Sequence, residues 1–316
     1  MPEELNDINK DIVNRMTPPK RTMAPFMSFG GKGNMLNVIL KNLPSHGVHV
    51  YCEPFCRAAS LFWALPKRYT IEVLNDIDGL VVNLFRVLQD PGKFEELMHK
   101  IVCTPYSYDE YNKARGILQD PNADDFSRAW AFFTASNQGF SGEYDTPGQW
   151  SRHFTSSSGD IARGPDSWNK RKKLLIYFHE RLQGVQIDCR DAIEVIPYWD
   201  TPETFFYCDP PYVLSTRTRG GYEFEMTDEQ HAQLVEVLLN VKGMVMLSGY
   251  ENEVYKKLED EGWKTIKVNT VAHAAGATRM NNLKGTHSKQ EKMKRVEVLW
   301  LNPKCWESRD LNLKLF

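Results

Sequence analysis

Residues 71–89 read IEVLNDIDGLVVNLFRVLQ, and this stretch joins a strand pattern to a helix pattern. The run IEVL at 71–74 is apolar and β-branched, which is typical of a buried strand. Residues 79–89 instead place apolar side chains at the spacing of one helix face. A strand followed by a helix is the unit of a parallel sheet, because the chain must cross over before the next strand can pair in parallel.

The same alternation extends outward from this stretch. Further strand patterns occupy residues 48–52, 185–189, 204–208, 243–248, 265–269 and 295–301. Helical spacing occurs at 34–42, at 168–183, at 228–240 after a capping Thr227, and at 252–261. We therefore predict an α/β fold with a mostly parallel sheet covered on both faces. The last two strands lack an intervening helix, so we expect them to pair antiparallel at the end of the sheet.

Residues 95–167 interrupt the alternation and are rich in Tyr, Trp, Ser, Asn and Gly, with one apolar helical patch at 127–135. They therefore indicate an insertion, which we predict to be mainly helical. Residues 270–294 carry few large apolar side chains and predict a loop. The predicted organisation is an N-terminal tail at 1–21, an α/β domain at 22–94 and 168–303, the insertion at 95–167, and a C-terminal tail at 304–316.

Length and composition indicate a globular protein of the cytoplasm. The chain has 316 residues, of which 41% are hydrophobic and 25% charged, so it can bury a sizeable core. No apolar run approaches the roughly 20 residues of a membrane span. The N-terminus, with Glu3, Glu4 and Asp7, lacks the pattern of a secretory signal. We expect no contact with a membrane and a cytoplasmic location.

The six cysteines favour neither disulfides nor metal binding. They are Cys52, Cys56, Cys103, Cys189, Cys208 and Cys305. None forms a C-x-x-C pair, and four adjoin apolar strand patterns, which suits reduced and packed thiols. No metal site is predicted.

Functional residues of an open α/β sheet are expected where strands end. Strand 48–52 is followed by EPFCRAAS at 53–60, where a turn leads into a helix and backbone N–H groups could face a ligand. Strand 71–74 is followed by Asn75 and Asp76, and Asp76 follows Glu53 at close to the spacing of about 20 residues that separates a nucleotide-binding turn from its ribose-binding acid. Each feature alone also fits a structural turn or a helix cap. The glycine-rich FGGKG at 29–33 is equally compatible with an ordinary loop.

The strand at 204–208 ends directly in Asp209-Pro210-Pro211-Tyr212. The two prolines remove backbone donors, so the turn offers mainly acceptors, namely a carboxylate and carbonyls. Such a turn suits an NH₂ group like adenine N6, whose lone pair is delocalised into the ring. Accepting both N6 hydrogens, by Asp209 and the Pro210 carbonyl, would localise that pair for attack on a methyl group. Tyr212 offers a ring face to a base taken out of the duplex.

Taken as a set, these residues resemble the Dam-like (D12 class) DNA adenine-N6 methyltransferases, in the form often carried by phages and restriction systems. The resemblance spans roughly residues 25 to 302 and follows the family's motif order. Its motifs are FGGKGNML (29–36), EPF (53–55), LNDIDGLVVNLFRVLQDP (74–91), DPPY (209–212) and LSGYE (247–251). The resemblance implies a Rossmann-like methyltransferase sheet, S-adenosylmethionine as the methyl donor, and a target-recognition role for residues 95–167.

The resemblance also implies roles for individual residues. The predicted cofactor-binding residues are Phe29, Gly30, Gly31 and Lys32 at the methionyl end, Glu53, Pro54 and Phe55 under the methionine and ribose, Asp76 on the ribose hydroxyls, Ile77 on the adenine ring, Asp191 near the cofactor's adenine, and Asp209. The predicted catalytic residues are Asp209, Pro210, Pro211 and Tyr212, which hold the target adenine.

One loop departs from the family pattern. Members usually have glycines after EPF, whereas this chain has Arg57 and Ala59. An arginine there would either clash with the cofactor or swing outward to meet a phosphate or carboxylate. If the loop blocked the cofactor, the protein would bind DNA without methylating it.

The predicted partner is double-stranded DNA. Because the net charge is −2, contact must come from local basic clusters. Arg217 and Arg219 follow the catalytic turn and are predicted to grip phosphates beside the flipped base. Asn137 and Arg152 in the insertion are predicted to read base edges, although hydrogen bonding within a loop explains them equally well. The oligomeric state is left open, with a monomer favoured, and so is the recognition sequence.

Other methyltransferase classes remain as alternatives. Cytosine-N4 enzymes of related fold typically have Ser where this chain has Asp209, and RNA or protein-glutamine enzymes more often have Asn. Asp209 therefore favours adenine in DNA.

Overall fold

The computed structural model of the protein describes residues 23–27, 35–66, 68–140, 150–152, 161–213, 224–271 and 294–309. Within them the chain forms a seven-stranded sheet in the order β3-β2-β1-β4-β5-β7-β6. The strands are β1 (Val50–Glu53), β2 (Ile71–Asn75), β3 (Gln186–Asp188), β4 (Thr204–Cys208), β5 (Met244–Tyr250), β6 (Lys264–Val271) and β7 (Lys294–Leu301). Each lies where the sequence predicts a strand, which confirms the α/β class.

The directions of the strands indicate where a ligand would bind. Strands β1 to β5 pair in parallel, whereas β7 runs antiparallel to both β5 and β6. The predicted antiparallel pairing of the last two strands is confirmed, but β7 lies inside the sheet and β6 forms its edge. The order of β1 to β5 is that of a doubly wound sheet, in which the winding reverses between β1 and β4. Ligands bind outside the carboxyl ends of the strands at such a switch point.

Helices cover both faces of the sheet. They are α1 (Leu36–Lys41), α2 (Ser60–Ala64), α3 (Gly79–Gln89), α4 (Pro91–Cys103), α5 (Tyr108–Gln119), α6 (Asp125–Gln138), α7 (Arg163–Lys173), α8 (Leu175–Leu182), α9 (Ala192–Trp199), α10 (Asp228–Leu239), α11 (Glu253–Asp260) and α12 (Pro303–Glu307). The predicted Thr227 cap of α10 is confirmed, since its side chain and that of Gln230 form a capping box.

Two apolar cores follow from the alternation of side chains along the strands. In β4, Phe205 and Tyr207 belong to a core with helices such as α3 and α6. Phe206 and Cys208 belong to a second core with α9, α10 and α11. Both faces of β4 are therefore buried, as expected for a central strand of a doubly covered sheet.

In its described residues the insertion is mainly helical, as predicted, but more of it is helix than the patch at 127–135 suggested. Helix α6 contains that patch, and α4 and α5 precede it. Helix α4 crosses the predicted boundary at residue 94, and α7 crosses the one at residue 167. The division into domains therefore stays a prediction.

A buried ion pair fastens α8 to the sheet. Both guanidinium nitrogens of Arg181 donate to Glu72 on β2, with N–O distances of 2.6 and 2.8 Å. The guanidinium carbon lies 3.7 Å from the centre of the Phe62 ring in α2. This contact ties the segment after the insertion to the strands that carry the site. In the part of the chain described above, no helix has the length and apolar character to cross a membrane.

Candidate active site

A cavity of about 340 Å³ opens at the carboxyl ends of the parallel strands. Its walls come from the loops after β1, β2, β3 and β4 and from the segment that leads into α10. The lining residues are Pro54, Phe55, Arg57, Asp76, Ile77, Arg190, Asp191, Ala192, Ile193, Asp209, Pro211, Phe224, Glu225, Met226, Gln230 and Gln233. The cavity thus lies at the switch point between β1 and β4, where the topology predicts a ligand site.

The cavity brings together many of the residues singled out in the sequence. Those that line it are Pro54, Phe55, Asp76, Ile77, Asp191, Asp209 and Pro211. Glu53, Pro210 and Tyr212 are buried next to lining residues but do not line the cavity. Phe29, Gly30, Gly31, Lys32, Arg217 and Arg219 lie outside the described residues.

Asp76 is fixed by the backbone on both sides. Its Oδ2 accepts a hydrogen bond from the N–H of Arg57 at 2.6 Å, and its Oδ1 accepts one from the N–H of Asp78 at 2.9 Å. Burial raises the pKa of this carboxyl from 3.8 to about 6, although the two backbone bonds oppose the shift. The result is a preorganised acid at the end of β2, with its orientation set before any ligand arrives.

The loop after β1 accommodates Arg57 without closing the cavity. Among the described non-glycine residues, Arg57 (φ 42°) and Ala59 (φ 52°) alone have positive φ. They occupy the left-handed region that favours glycine, at a cost of about 1–2 kcal/mol per residue. The guanidinium of Arg57 pairs with Asp78 at 2.6 Å. Of the outcomes considered from sequence, the structure shows the arginine turned to a carboxylate.

Asn75 joins the loops that follow β1, β2 and β3. Its amide nitrogen donates to the carbonyls of Pro54 and Arg190 at 2.8 and 3.0 Å. Its amide oxygen accepts the N–H of Arg190 at 3.0 Å. Sequence reasoning gave this residue no role beyond a helix cap, because the two partners are distant along the chain.

Glu53 ends β1 with its side chain turned inward. It is 2% exposed. Its Oε1 accepts bonds from the Tyr51 hydroxyl at 2.5 Å and the Phe62 N–H at 2.8 Å. Burial raises the pKa of Glu53 to about 8, and the nearby charge of Asp209 raises it further while the two bonds lower it. This carboxyl is therefore mostly protonated at neutral pH.

The Asp-Pro-Pro-Tyr turn contacts the end of β5. Oδ1 of Asp209 accepts a hydrogen bond from Ser248 Oγ at 2.8 Å. The Tyr212 ring is buried and meets the Tyr250 ring edge to face, with 4.5 Å between centroids. Sequence reasoning missed Ser248 and Tyr250 as site residues. Their place in the LSGYE run, at the carboxyl end of an apolar strand, is the signal that could have found them.

The loop after β3 contains the predicted residue Asp191 and its neighbour Arg190. Asp191 lines the cavity and caps α9 by accepting the N–H of Ile193 at 3.0 Å. The neighbouring Arg190 pairs with Asp188 and lies over the Tyr198 ring, 4.6 Å from its centre. The loop after β3 thus presents a carboxylate to the cavity.

The amides of α6 are used inside the fold. Asn137 is 3% exposed, and its nitrogen donates to the carbonyls of Pro25 and Phe133. In this structure Asn137 therefore bonds to the chain itself, the second of the two interpretations that the sequence left open, rather than facing a base. Arg152 is exposed. Its base contact stays a prediction.

All six cysteines are free thiols, and Cys52, Cys56, Cys208 and Cys305 are buried. Within the described ranges, no group of three or more His, Cys, Asp or Glu side chains is placed to hold a metal ion.

The strand order and the cavity at the switch point define a Rossmann-like methyltransferase. The family model of the D12 class N6 adenine-specific DNA methyltransferases matches residues 28–272. Because this match covers most of the chain, the protein belongs to that family. Its reaction is the S-adenosylmethionine-dependent methylation of adenine N6 in DNA. No curated protein matches the chain.

Proposed function

We propose that S-adenosylmethionine binds in the cavity at the ends of β1, β2, β3 and β4, and that the Asp-Pro-Pro-Tyr turn presents the target adenine to it. The proposed contacts are Asp76 with the ribose hydroxyls, Ile77 with the cofactor's adenine ring, Asp191 with the edge of that ring, Glu53-Pro54-Phe55 under the methionine and ribose, and Phe29, Gly30, Gly31 and Lys32 at the methionyl end. Residues 95–167 are proposed as the target-recognition region.

The dimensions and lining of the cavity support this assignment. Its volume of about 340 Å³ falls in the range of roughly 300–1,000 Å³ typical of small-molecule sites. Ile77 is 51% exposed although it is apolar, and it lines the wall beside Phe55. An apolar surface at the edge of a nucleotide-sized cavity suits a purine ring. Asp76 lies next to it with an oxygen geometry that can accept hydroxyl donors.

The charges around the cavity also support a cationic ligand. Asp76, Asp191, Asp209 and Glu225 line it. The arginines that line it are each paired with an acid, Arg57 with Asp78 and Arg190 with Asp188. When bound, S-adenosylmethionine supplies a methyl group on a positively charged sulfur. A wall with an excess of carboxylates stabilises that charge more than it stabilises the neutral thioether product.

The turn after β4 provides the acceptors that the target amine needs. Asp209 is held at the edge of the cavity, and the carbonyl of Pro210 follows it in the chain. Together they can accept the two N6 hydrogens, which localises the nitrogen lone pair toward the methyl group. Proline at 210 and 211 leaves no N–H that would compete for this role.

The proposed DNA contacts come from two separate segments of the chain. Arg217 and Arg219 follow the turn and are proposed to contact phosphates, and Arg152 is proposed to contact a base edge or phosphate. Double-stranded DNA is the proposed partner, with no metal ion taking part. The protein is proposed to act as a monomer.

The proposed cofactor site depends most on Asp76 at the end of β2, and a substitution of this residue tests it. Asp76→Ala removes the proposed ribose contact and should weaken S-adenosylmethionine binding about 10- to 100-fold, the value of hydrogen bonds to a charged group. Isothermal titration calorimetry measures this, and circular dichroism checks the fold of the variant. Asp260→Ala, at the exposed end of α11, is the matched control and should bind normally. Unchanged affinity in a folded Asp76→Ala protein would place the cofactor elsewhere.

A further inference from the structure

The end of β5 holds the catalytic turn through a buried hydroxyl. Ser248 is 1% exposed. Its Oγ donates to Oδ1 of Asp209 at 2.8 Å and lies 3.3 Å from the hydroxyl of Tyr207. The parallel pairing of β4 with β5, which aligns Cys208 with Leu247, brings Ser248 level with Asp209.

The direction of these bonds follows from the donor count. A serine hydroxyl has one hydrogen, and a carboxylate can only accept. Because Ser248 donates its hydrogen to Asp209, the bond between Ser248 and Tyr207 must be donated by Tyr207. The result is an oriented chain from Tyr207 through Ser248 to the carboxylate. A donor aimed at one oxygen of a carboxylate fixes the rotamer of that carboxylate.

We propose that Ser248 is a positioning residue for methyl transfer, with Tyr207 orienting its hydroxyl. This inference rests on the proposed function of Asp209 as an acceptor for the N6 hydrogens. A carboxylate that rotated away would no longer present its oxygen to the amine. Ser248 touches neither the target base nor the cofactor in this scheme, so it acts on the rate of transfer and not on binding.

The same strand end contacts the turn a second time. Tyr250 lies two residues beyond Ser248 and packs edge to face on Tyr212. Strand β5 therefore contacts both ends of the Asp-Pro-Pro-Tyr turn.

The test compares hydroxyl deletions in the full-length protein. Ser248→Ala should lower single-turnover methylation of a DNA duplex roughly 10- to 100-fold. Calorimetric affinity for S-adenosylmethionine and the fluorescence of 2-aminopurine at the target position should stay at wild-type values. Tyr207→Phe removes one buried oxygen and should lower the rate in the same direction by a smaller factor. Ser248→Thr restores the hydroxyl and should recover part of the rate.

The control is another buried serine. Ser308 is 7% exposed and its hydroxyl donates to the Cys305 carbonyl, far along the chain from the site. Ser308→Ala should methylate at the wild-type rate. A wild-type rate in both Ser248→Ala and Tyr207→Phe would overturn the inference, and so would a slow Ser248→Ala that binds cofactor or flips the base poorly. A wild-type protein that neither binds S-adenosylmethionine nor methylates DNA would instead overturn the proposed function.

Discussion

Arg57 and Ala59 show how individual residues store strain beside a ligand cavity. Both have a φ that suits glycine. Strained residues of this kind persist where surrounding contacts determine the conformation. For Arg57 those contacts are the N–H bond to Asp76 and the ion pair with Asp78. Arg57 therefore combines a left-handed backbone with an N–H that holds Asp76.

Substitution of Arg57 separates the backbone strain from the ion pair. Arg57→Ala and Arg57→Gly both lose the ion pair, but only glycine also relieves the strain. We expect Arg57→Gly to be more stable than Arg57→Ala by about 1 kcal/mol, which reverses the usual order of the two residues. Urea unfolding measures the difference. A glycine variant less stable than the alanine variant would show that position 57 is unstrained.

The buried carboxyl of Glu53 makes a prediction about pH. Its pKa is about 8 in the folded protein against an ordinary value of 4.5. The folded state then retains a proton that the unfolded chain releases, so the free energy of unfolding falls as pH rises through this window and levels off above it. Glu53→Gln resembles the protonated carboxyl and removes the dependence.

Relative to wild type, Glu53→Gln should therefore gain about 1.4 kcal/mol of stability per pH unit between the unfolded and folded pKa values. Urea unfolding of both proteins at several pH values across that window gives the difference. A constant difference would mean that Glu53 ionises normally in the fold.

At the scale of elements, α8 and β2 are joined by the Arg181–Glu72 pair, whose side chains are 9% and 4% exposed. Removing one partner leaves a buried charge, so Arg181→Ala should lower the free energy of unfolding by about 3–5 kcal/mol. The matched control is the Lys257–Glu236 pair, exposed by 50% and 60%. Lys257→Ala should cost at most about 1 kcal/mol. Chemical denaturation compares the two, and equal losses would contradict a structural role for the buried pair.

The elements differ in how well a short stretch of sequence predicts them. Residues 71–89 and 228–239 predicted a strand and two helices because the apolar face of each element appears as a regular pattern within that stretch. Helix α4 carried a local signal that was overlooked, because its buried Phe94, Leu97 and Ile101 recur at helical spacing. Helix α5 buries Tyr111, Ala114 and Arg115 within a polar sequence, so it depends more on packing against α6. β6 lies at the edge of the sheet because β7 pairs between β5 and β6. This order depends on pairing across the whole sheet, so no single stretch of sequence predicts it.

The site divides in the same way. The acids and the Asp-Pro-Pro-Tyr turn were predictable because each directly follows a strand, and strand ends meet at one edge of the sheet. The bonds of Asn75 to Arg190 and of Ser248 to Asp209 join residues far apart in sequence, so no local pattern contains them. For Asn137 the sequence left base reading and hydrogen bonding within the chain equally open, and its bonds to Pro25 and Phe133 depend on packing that no local pattern contains.

At the scale of the whole molecule, the sheet places two kinds of chemistry side by side. The winding reverses between β1 and β4, so the loop after β1 and the turn after β4 face a common cavity. The first belongs to the proposed cofactor site and the second to the proposed adenine site. Strand β5 then supports the turn from its other side. The carboxyl ends of the strands thus supply both proposed binding sites and the contact from β5 that holds the turn in place.

Asp209 is proposed to accept the N6 hydrogens of the target adenine during methyl transfer. The most direct test of this role is single-turnover methylation of a DNA duplex by Asp209→Ala, together with calorimetric binding of S-adenosylmethionine. We predict that methyl transfer falls by at least about 100-fold, as when a preorganised polar group is removed from an active site, while cofactor affinity stays close to that of the wild type. Methylation at the wild-type rate by Asp209→Ala would show that Asp209 is not the acceptor that the reaction needs.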